Sequence, residues 1–382
     1  MSRLPCGCRV FSPYPFIRVV ANRSKSKETK FMLKQPSTGL YDPNAESSSC
    51  GVGFITSKKS VQTTEILNFA HQALCAVPHR GGMSSEGVGD GAGVSVDLSV
   101  KFFSELVGSD LTARHFGVGN FFLPNDSKAH KRAKEFVRAA LGGAGFNTIF
   151  EREVPTDAKA INKQSEKYQL PIYQWVFLKD EGCTTQQFDR KIHNALLEIE
   201  AEAYTNNALA GFYPLSFSCR TQVLKGRLNS WEIIPYFCDL SHSSHEVSSL
   251  YFHTRFSTNT DPHPTMAQPF RLMAHNGELN TDKKNRLSET AVASAKNKSI
   301  IRPPGQSDSC RLDQTLTSRV YEEGLDLVTA VVSMMPPAWE NNHRMDQSVR
   351  AMLEYFSLFE EKNDGPAAVS YTHLRAHETL DN

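Results

Sequence analysis

Strand-like and helix-like stretches follow one another along this chain in both orders, and strand pairs occur with no helix between them. That pattern fits a layered α+β fold better than a strict strand–helix–strand winding. Val52, Phe54 and Ile55 suit a buried strand. Within 61–77, apolar residues recur at helical spacing at Ile66, Leu67, Ala70, Ala73, Leu74 and Val77, and Pro78 ends the segment. Val94, Val96 and Leu98 alternate as a strand, and 116–123 and 172–178 read as strands. The spacing predicts helices over 128–141, with a basic outer face, and over 185–204, which is clearly amphipathic. Residues 211–237 predict several short strands with turns. Further on come a strand from about Leu250 to Arg255, an apolar strand ending at Asn276-Gly277, and a helical stretch from Leu312 to Tyr321. No internal repeat interrupts the series.

Composition removes some functions. A net charge of +1 over 382 residues provides no global field for nucleic acid or an anionic membrane surface. No apolar run reaches the roughly 18 residues needed to span a bilayer. The eight cysteines are scattered, with no C-x-x-C pair, which argues against a disulfide framework or a zinc knuckle and for a reducing compartment. Residues 1–49 are basic: Glu28 is the only acid before Asp42. This leader leans toward an organelle transit peptide; a floppy basic leader, or initiation at Met32, reads equally well.

Candidate chemistry begins at Cys50. It follows Ser47-Ser48-Ser49 and precedes Gly51-Val52-Gly53-Phe54, so a thiol at the lip of a strand has small neighbours on its approach side. Alone, such a cysteine is more often a small buried hydrophobe. The glycine-rich run 89–93 leads into a strand rather than a helix, which favours close backbone passage over a phosphate cradle. Arg255, at a strand end, can grip a carboxylate with two parallel bonds, or form a structural ion pair. Asn276 with the Gly277 N–H can make an oxyanion hole, or an Asn-Gly turn. Asp308 can hold an ammonium group, or cap the helix that follows. His253 and His275 are read as structural histidines.

These motifs together resemble the class II (N-terminal nucleophile) glutamine amidotransferase domain of the glutamate synthase large chain. The matching residues are Gly39-Leu40-Tyr41-Asp42-Pro43, Cys50-Gly51-Val52-Gly53-Phe54, His79-Arg80-Gly81, and 89–93. Arg255-Phe256-Ser257-Thr258-Asn259-Thr260, Ala267-Gln268-Pro269, and His275-Asn276-Gly277-Glu278-Leu279-Asn280-Thr281 follow in the family's order. Ser307-Asp308-Ser309, Pro337-Ala338-Trp339-Glu340 and 364–368 complete the series. The resemblance covers about 39–369.

The resemblance implies a four-layer αββα sandwich lacking its last strands. It implies a propeptide, 1–49, removed before Cys50; an amidotransferase domain, 50–369; and an unmatched tail, 370–382, read as an artefact. The α-amino group freed on Cys50, with pKa roughly 7.7–8.0 when unperturbed, would serve as the base. The thiolate would attack the side-chain amide of L-glutamine. Asn276 and Gly277 would stabilise the oxyanion, Arg255 would hold the α-carboxylate and Asp308 the α-ammonium. His79, Arg80, Gly81, Gln268, His275 and Glu278 would support the site, with no metal. The resemblance places no cofactor in this chain; FMN and an iron–sulfur cluster would belong to the remaining synthase domains, with a small NAD(P)H-oxidising subunit as a further partner. It favours the cytoplasm, with a plastid or mitochondrion suggested by the leader. Rival readings are an amidotransferase domain serving nucleotide or amino-sugar synthesis, a silent glutamine-binding domain, and a papain-like Cys–His hydrolase.

Overall fold

The computed structural model describes residues 51–255, 263–275, 282–298, 300–301, 306–362 and 367–369. The first half contains β1 (Val52–Thr56), α1 (Glu65–Ala76), β2 (Ala92–Asp97), α2 (Val100–Val107), β3 (Phe116–Phe122), α3 (Ser127–Gly143), β4 (Asn147–Glu153) and β5 (Ile172–Leu178). After it come α4 (Thr185–Thr205), β6 (Tyr213–Ser218), β7 (Thr221–Gly226), α5 (Ile233–Tyr236), β8 (Ser249–His253) and β9 (Met273–His275). The chain continues with α6 (Lys283–Ala295), α7 (Asp308–Tyr321), α8 (Leu327–Met334), α9 (Gln347–Ser357) and β10 (Ala367–Val369).

The strands form two four-stranded antiparallel sheets, ordered β1-β8-β2-β7 and β4-β5-β3-β6, and a short antiparallel pair, β10-β9. The α+β reading of the sequence holds at this level. The sheets meet through polar side chains: Asn120 of β3 donates to the Val223 carbonyl of β7 at 3.2 Å, and Gln174 of β5 donates to Gln222 Oε1 of β7 at 3.2 Å. Buried amides satisfied in this way fix the sheets' relative register, because an unmatched one costs about 1–3 kcal/mol.

The buried stripe of α1, Ile66, Leu67, Ala70 and Leu74, joins Val94 and Val96 of β2 and Leu250 and Phe252 of β8 in one core. A second core sets α3 and α4 against Phe121, Trp175 and Phe217 of the other sheet. Each such side chain contributes roughly 1.5–3 kcal/mol when fully buried. Helix α4 is well bounded: Thr184 and Gln187 form a reciprocal capping box.

Three expectations are corrected. Phe54 is 71% exposed: side chains alternate along β1, and it is the opposite face, with Ile55, that packs on the core. The strand-rich reading of 211–237 holds for β6 and β7 but fails after 229, where Ser230–Glu232 is a 3-10 turn running into α5. There Asn229 starts the turn and Glu232 bonds back to its N–H at 2.7 Å, a local cap that overrides the apolar run. Helix α1 begins at Glu65 rather than Val61, which is exposed. All six residues of β2 are buried, so its alternation reflects two covered faces rather than one wet face. Asp97, at its end, is matched by N–H groups of Ser248 and Ser249 at 2.9 and 2.7 Å. Among the described residues, no helix is long and apolar enough to cross a membrane.

Candidate active site

Strand pairing decides what lies beside the start of β1. Val52 pairs with His253, and one step beyond, the Thr254 N–H donates to the Gly51 carbonyl at 2.8 Å. A β-carbon on Gly51 would sit 2.7 Å from Thr254 Oγ1, 3.6 Å from the Arg80 carbonyl and 3.8 Å from Arg255 Cβ. One on Gly81 would sit 3.0 Å from the Thr254 carbonyl. Gly51, Arg80, Gly81, Thr254 and Arg255 therefore converge from three separate parts of the chain. The turn that brings them in is the 3-10 segment Pro78–Arg80, which contains His79 and closes with Gly81 N–H to the Pro78 carbonyl at 3.2 Å.

Arg255 is exposed, and its guanidinium has no ion-pair partner among the described residues. Its N–H donates to His253 Nδ1 at 3.0 Å. Burial pushes the His253 imidazole down to about 4, so at neutral pH this ring accepts from the main chain and carries no charge. That is the structural role expected for it.

A second group of residues lies around β9, which has contacts with β8. Gln268 is buried and spans His275: its Nε2 donates to the His275 carbonyl at 2.9 Å, and its Oε1 accepts from the His275 N–H at 2.8 Å. His275 Nδ1 lies 3.3 Å from Ser309 Oγ. The Ser309 N–H donates to Asp308 Oδ1 at 2.6 Å, with the hydroxyl of Ser309 at 3.3 Å from the same oxygen. A chain of bonds thus joins Gln268, His275, Ser309 and Asp308.

The alternative readings of Asp308 now separate. The cap of α7 is Ser307, whose hydroxyl accepts from the Cys310 N–H at 3.1 Å. Asp308 is the first helical residue, half-buried, with its carboxylate next to the positive end of the helix. Cys50, Asn276, Gly277 and Glu278 lie outside the described residues. They adjoin Gly51 and His275, the two points where the described chain enters and leaves this region.

Reading the sequence alone missed several contributors. Thr254 forms the contact surface for both glycines. Asp313, buried on α7, accepts from the N–H groups of Arg271, Leu272 and Met273 at 3.2, 2.8 and 2.9 Å and so aligns the entry to β9. Burial pushes its carboxyl up, against those three bonds. A carboxylate inside an otherwise mixed helix is the one signal that marked it. Among the described residues, no group of three or more His, Cys, Asp or Glu side chains is placed to hold a metal ion, and the five described cysteines are free.

Gly51, directly after Cys50 in the sequence, thus leads into β1 beside Arg255, which follows β8. The chain belongs to the class-II glutamine amidotransferases, a family that matches residues 50–380. Among particular proteins, it is similar to the glutamate synthase [NADPH] large chain of Bacillus subtilis (strain 168), 32% identical over 350 residues that cover 87% of this chain and 23% of that one. It is likewise 30% identical to glutamate synthase [NADH] of Saccharomyces cerevisiae, covering 88% of this chain and 17% of the other. The chloroplastic ferredoxin-dependent glutamate synthase of Spinacia oleracea is 30% identical, with 89% of this chain and 22% of that protein covered. The chain spans less than a quarter of the length of these three relatives.

Proposed function

We propose that the chain from Cys50 through at least residue 369 forms the glutamine-hydrolysing domain of a glutamate synthase, built as a layered αββα sandwich, with 1–49 a leader removed before Cys50. The observation that carries this is the convergence of Gly51 with Arg80, Gly81, Thr254 and Arg255, next to a cysteine at which the family match begins.

In this reading the α-amino group of processed Cys50 takes the thiol proton, and the thiolate attacks the side-chain amide carbon of L-glutamine. Asn276 and the Gly277 N–H stabilise the tetrahedral oxyanion; losing one such donor costs about 3–4 kcal/mol. Collapse expels ammonia, which carries the proton away, and leaves a thioester. Water then releases L-glutamate and restores the thiol. Arg255 holds the substrate α-carboxylate and Asp308 its α-ammonium, a pair that selects an amino acid. His79, Arg80 and Gly81 shape the wall against Gly51, while Gln268, His275 and Glu278 support the oxyanion side.

The ammonia would pass to 2-oxoglutarate elsewhere in the synthase, where FMN and an iron–sulfur cluster supply the electrons, fed in some relatives by an NAD(P)H-oxidising subunit. The compartment follows the leader: the cytoplasm, or an organelle as in the chloroplastic spinach relative. The test is N-terminal sequencing of the active form together with a Cys50→Ala variant. The expected results are a chain starting at Cys50 and a variant that releases no ammonia from glutamine. Activity in a chain that keeps Met1 would overturn the α-amino base.

A further inference from the structure

Lys225, on β7, is 1% exposed, and its ammonium is not used by the chemistry above. Its Nζ donates to the Thr265 carbonyl at 3.0 Å and to the Ala267 carbonyl at 2.7 Å. The rings of Phe270 and Tyr213 lie 5.0 and 5.7 Å from the same nitrogen. Burying an ammonium costs several kcal/mol unless its protons are matched, and here the matching acceptors are both main-chain carbonyls of the segment that ends at Gln268. Burial pushes the Lys225 ammonium down to about 8.

The segment is pinned from other directions as well. A β-carbon on Gly93 would lie 2.8 Å from the Gln268 carbonyl, so β2 passes directly beneath it. Gln268 then clasps both main-chain groups of His275, and His275 reaches Ser309 and, through it, Asp308. One end of this chain of bonds is the buried ammonium. The other ends are the residue preceding Asn276 and the carboxylate of Asp308.

We propose that Lys225 is a positioning residue for glutamine hydrolysis: by holding the carbonyls of Thr265 and Ala267 it sets Gln268, and through Gln268 it sets His275 and the oxyanion side of the site. This rests on the amidotransferase reading and deepens it. Lys225 touches no substrate; its effect is transmitted through the Gln268 amide. Displacements of about 1 Å at a reacting centre cost on the order of a hundredfold in rate, so a shift of this segment shows first in kcat.

The test uses the processed full chain. Glutamine hydrolysis by Lys225→Met is measured per Cys50 thiol titrated with a glutamine-like chloroketone, which removes any unfolded or unprocessed fraction from the comparison. The expected result is a kcat lowered by about ten- to a hundredfold, with KM changed less than about threefold. Gln268→Leu should lower kcat to a similar degree. The double variant Lys225→Met/Gln268→Leu should be no slower than the slower single variant, because both act along one path. An unchanged kcat per titrated thiol, or losses that multiply in the double variant, overturns the proposal. Lys225→Gln keeps one N–H donor in place and is read by the same criteria if the methionine variant does not fold. A processed wild-type chain that fails to hydrolyse glutamine sinks the amidotransferase reading and this proposal with it; an active wild type with an unimpaired Lys225→Met sinks the proposal alone.

Discussion

Gln268 holds the main chain of His275 from both sides, donating to its carbonyl at 2.9 Å and accepting from its N–H at 2.8 Å. Both residues are buried. An apolar substitute of similar shape leaves an N–H and a carbonyl without partners, at about 1–3 kcal/mol each. Gln268→Leu is therefore expected to lower stability by about 2–6 kcal/mol. Urea unfolding at neutral pH measures this, and a loss under about 1 kcal/mol would show that the clasp is dispensable.

Gly51 and Thr254 are in contact where a side chain has no room. Gly51→Ala would bring a methyl group to 2.7 Å from Thr254 Oγ1 and push the end of β1 away from its neighbour. Glutamine hydrolysis should fall at least about tenfold. Thr254→Ala removes the obstructing oxygen, so the double variant should regain much of the loss. Double-mutant kinetics check this coupling; independent effects would refute the contact as the cause.

Ser307 caps α7, and the proposed reading gives the neighbouring Asp308 the substrate ammonium. Ser307→Ala removes the cap and should cost about 1 kcal/mol of stability, with KM for glutamine little changed. Asp308→Asn keeps an oxygen for the Ser309 N–H but loses the charge, so it should raise KM about tenfold or more with little effect on stability. Steady-state kinetics and thermal unfolding of both variants separate the roles, and the reverse pattern would assign ammonium binding elsewhere.

Stability should fall in mild acid. Burial pushes His245 and His253 down to about 4, from an ordinary value near 6.5. Between those pH values the unfolded chain binds the extra protons, so the contribution of these neutral rings is complete above about 6.5 and is lost as pH falls toward 4. Each ring accounts for on the order of 3 kcal/mol across that window. His245 Nδ1 lies 2.7 Å from the Asp239 carbonyl, and the ring stacks on Phe102 at 4.6 Å. His245→Phe keeps the stacking and removes the titration, so its unfolding free energy should depend less steeply on pH between 6.5 and 4. An unchanged slope would show that His245 does not take up the proton.

Much of this molecule is legible in its residues. The helix over 185–204 was plain because its apolar positions keep one period for five turns and its cap is local. The strands at 116–123 and 172–178 were plain because strands covered on both faces are mostly apolar, Asn120 and Gln174 being the buried polar exceptions. Phe54 misled for another reason: residue type reports what a strand can bury, whereas exposure depends on which of its faces packs on the core. Asn229 and Glu232 turned an apolar run helical through a cap that hydrophobicity alone does not register.

The sequence by itself determined the chemical types and their order: a cysteine ahead of a short strand, an arginine at a strand end, an acid at a helix start. These are local properties, carried by each residue and its immediate neighbours. The tertiary structure decided that Gly51 meets Arg80 and Thr254, and that Lys225 bonds a segment some 40 residues away. Such pairings come from sheet register and the matching of buried polar groups, which are set by the whole packed chain and leave no mark at any one position.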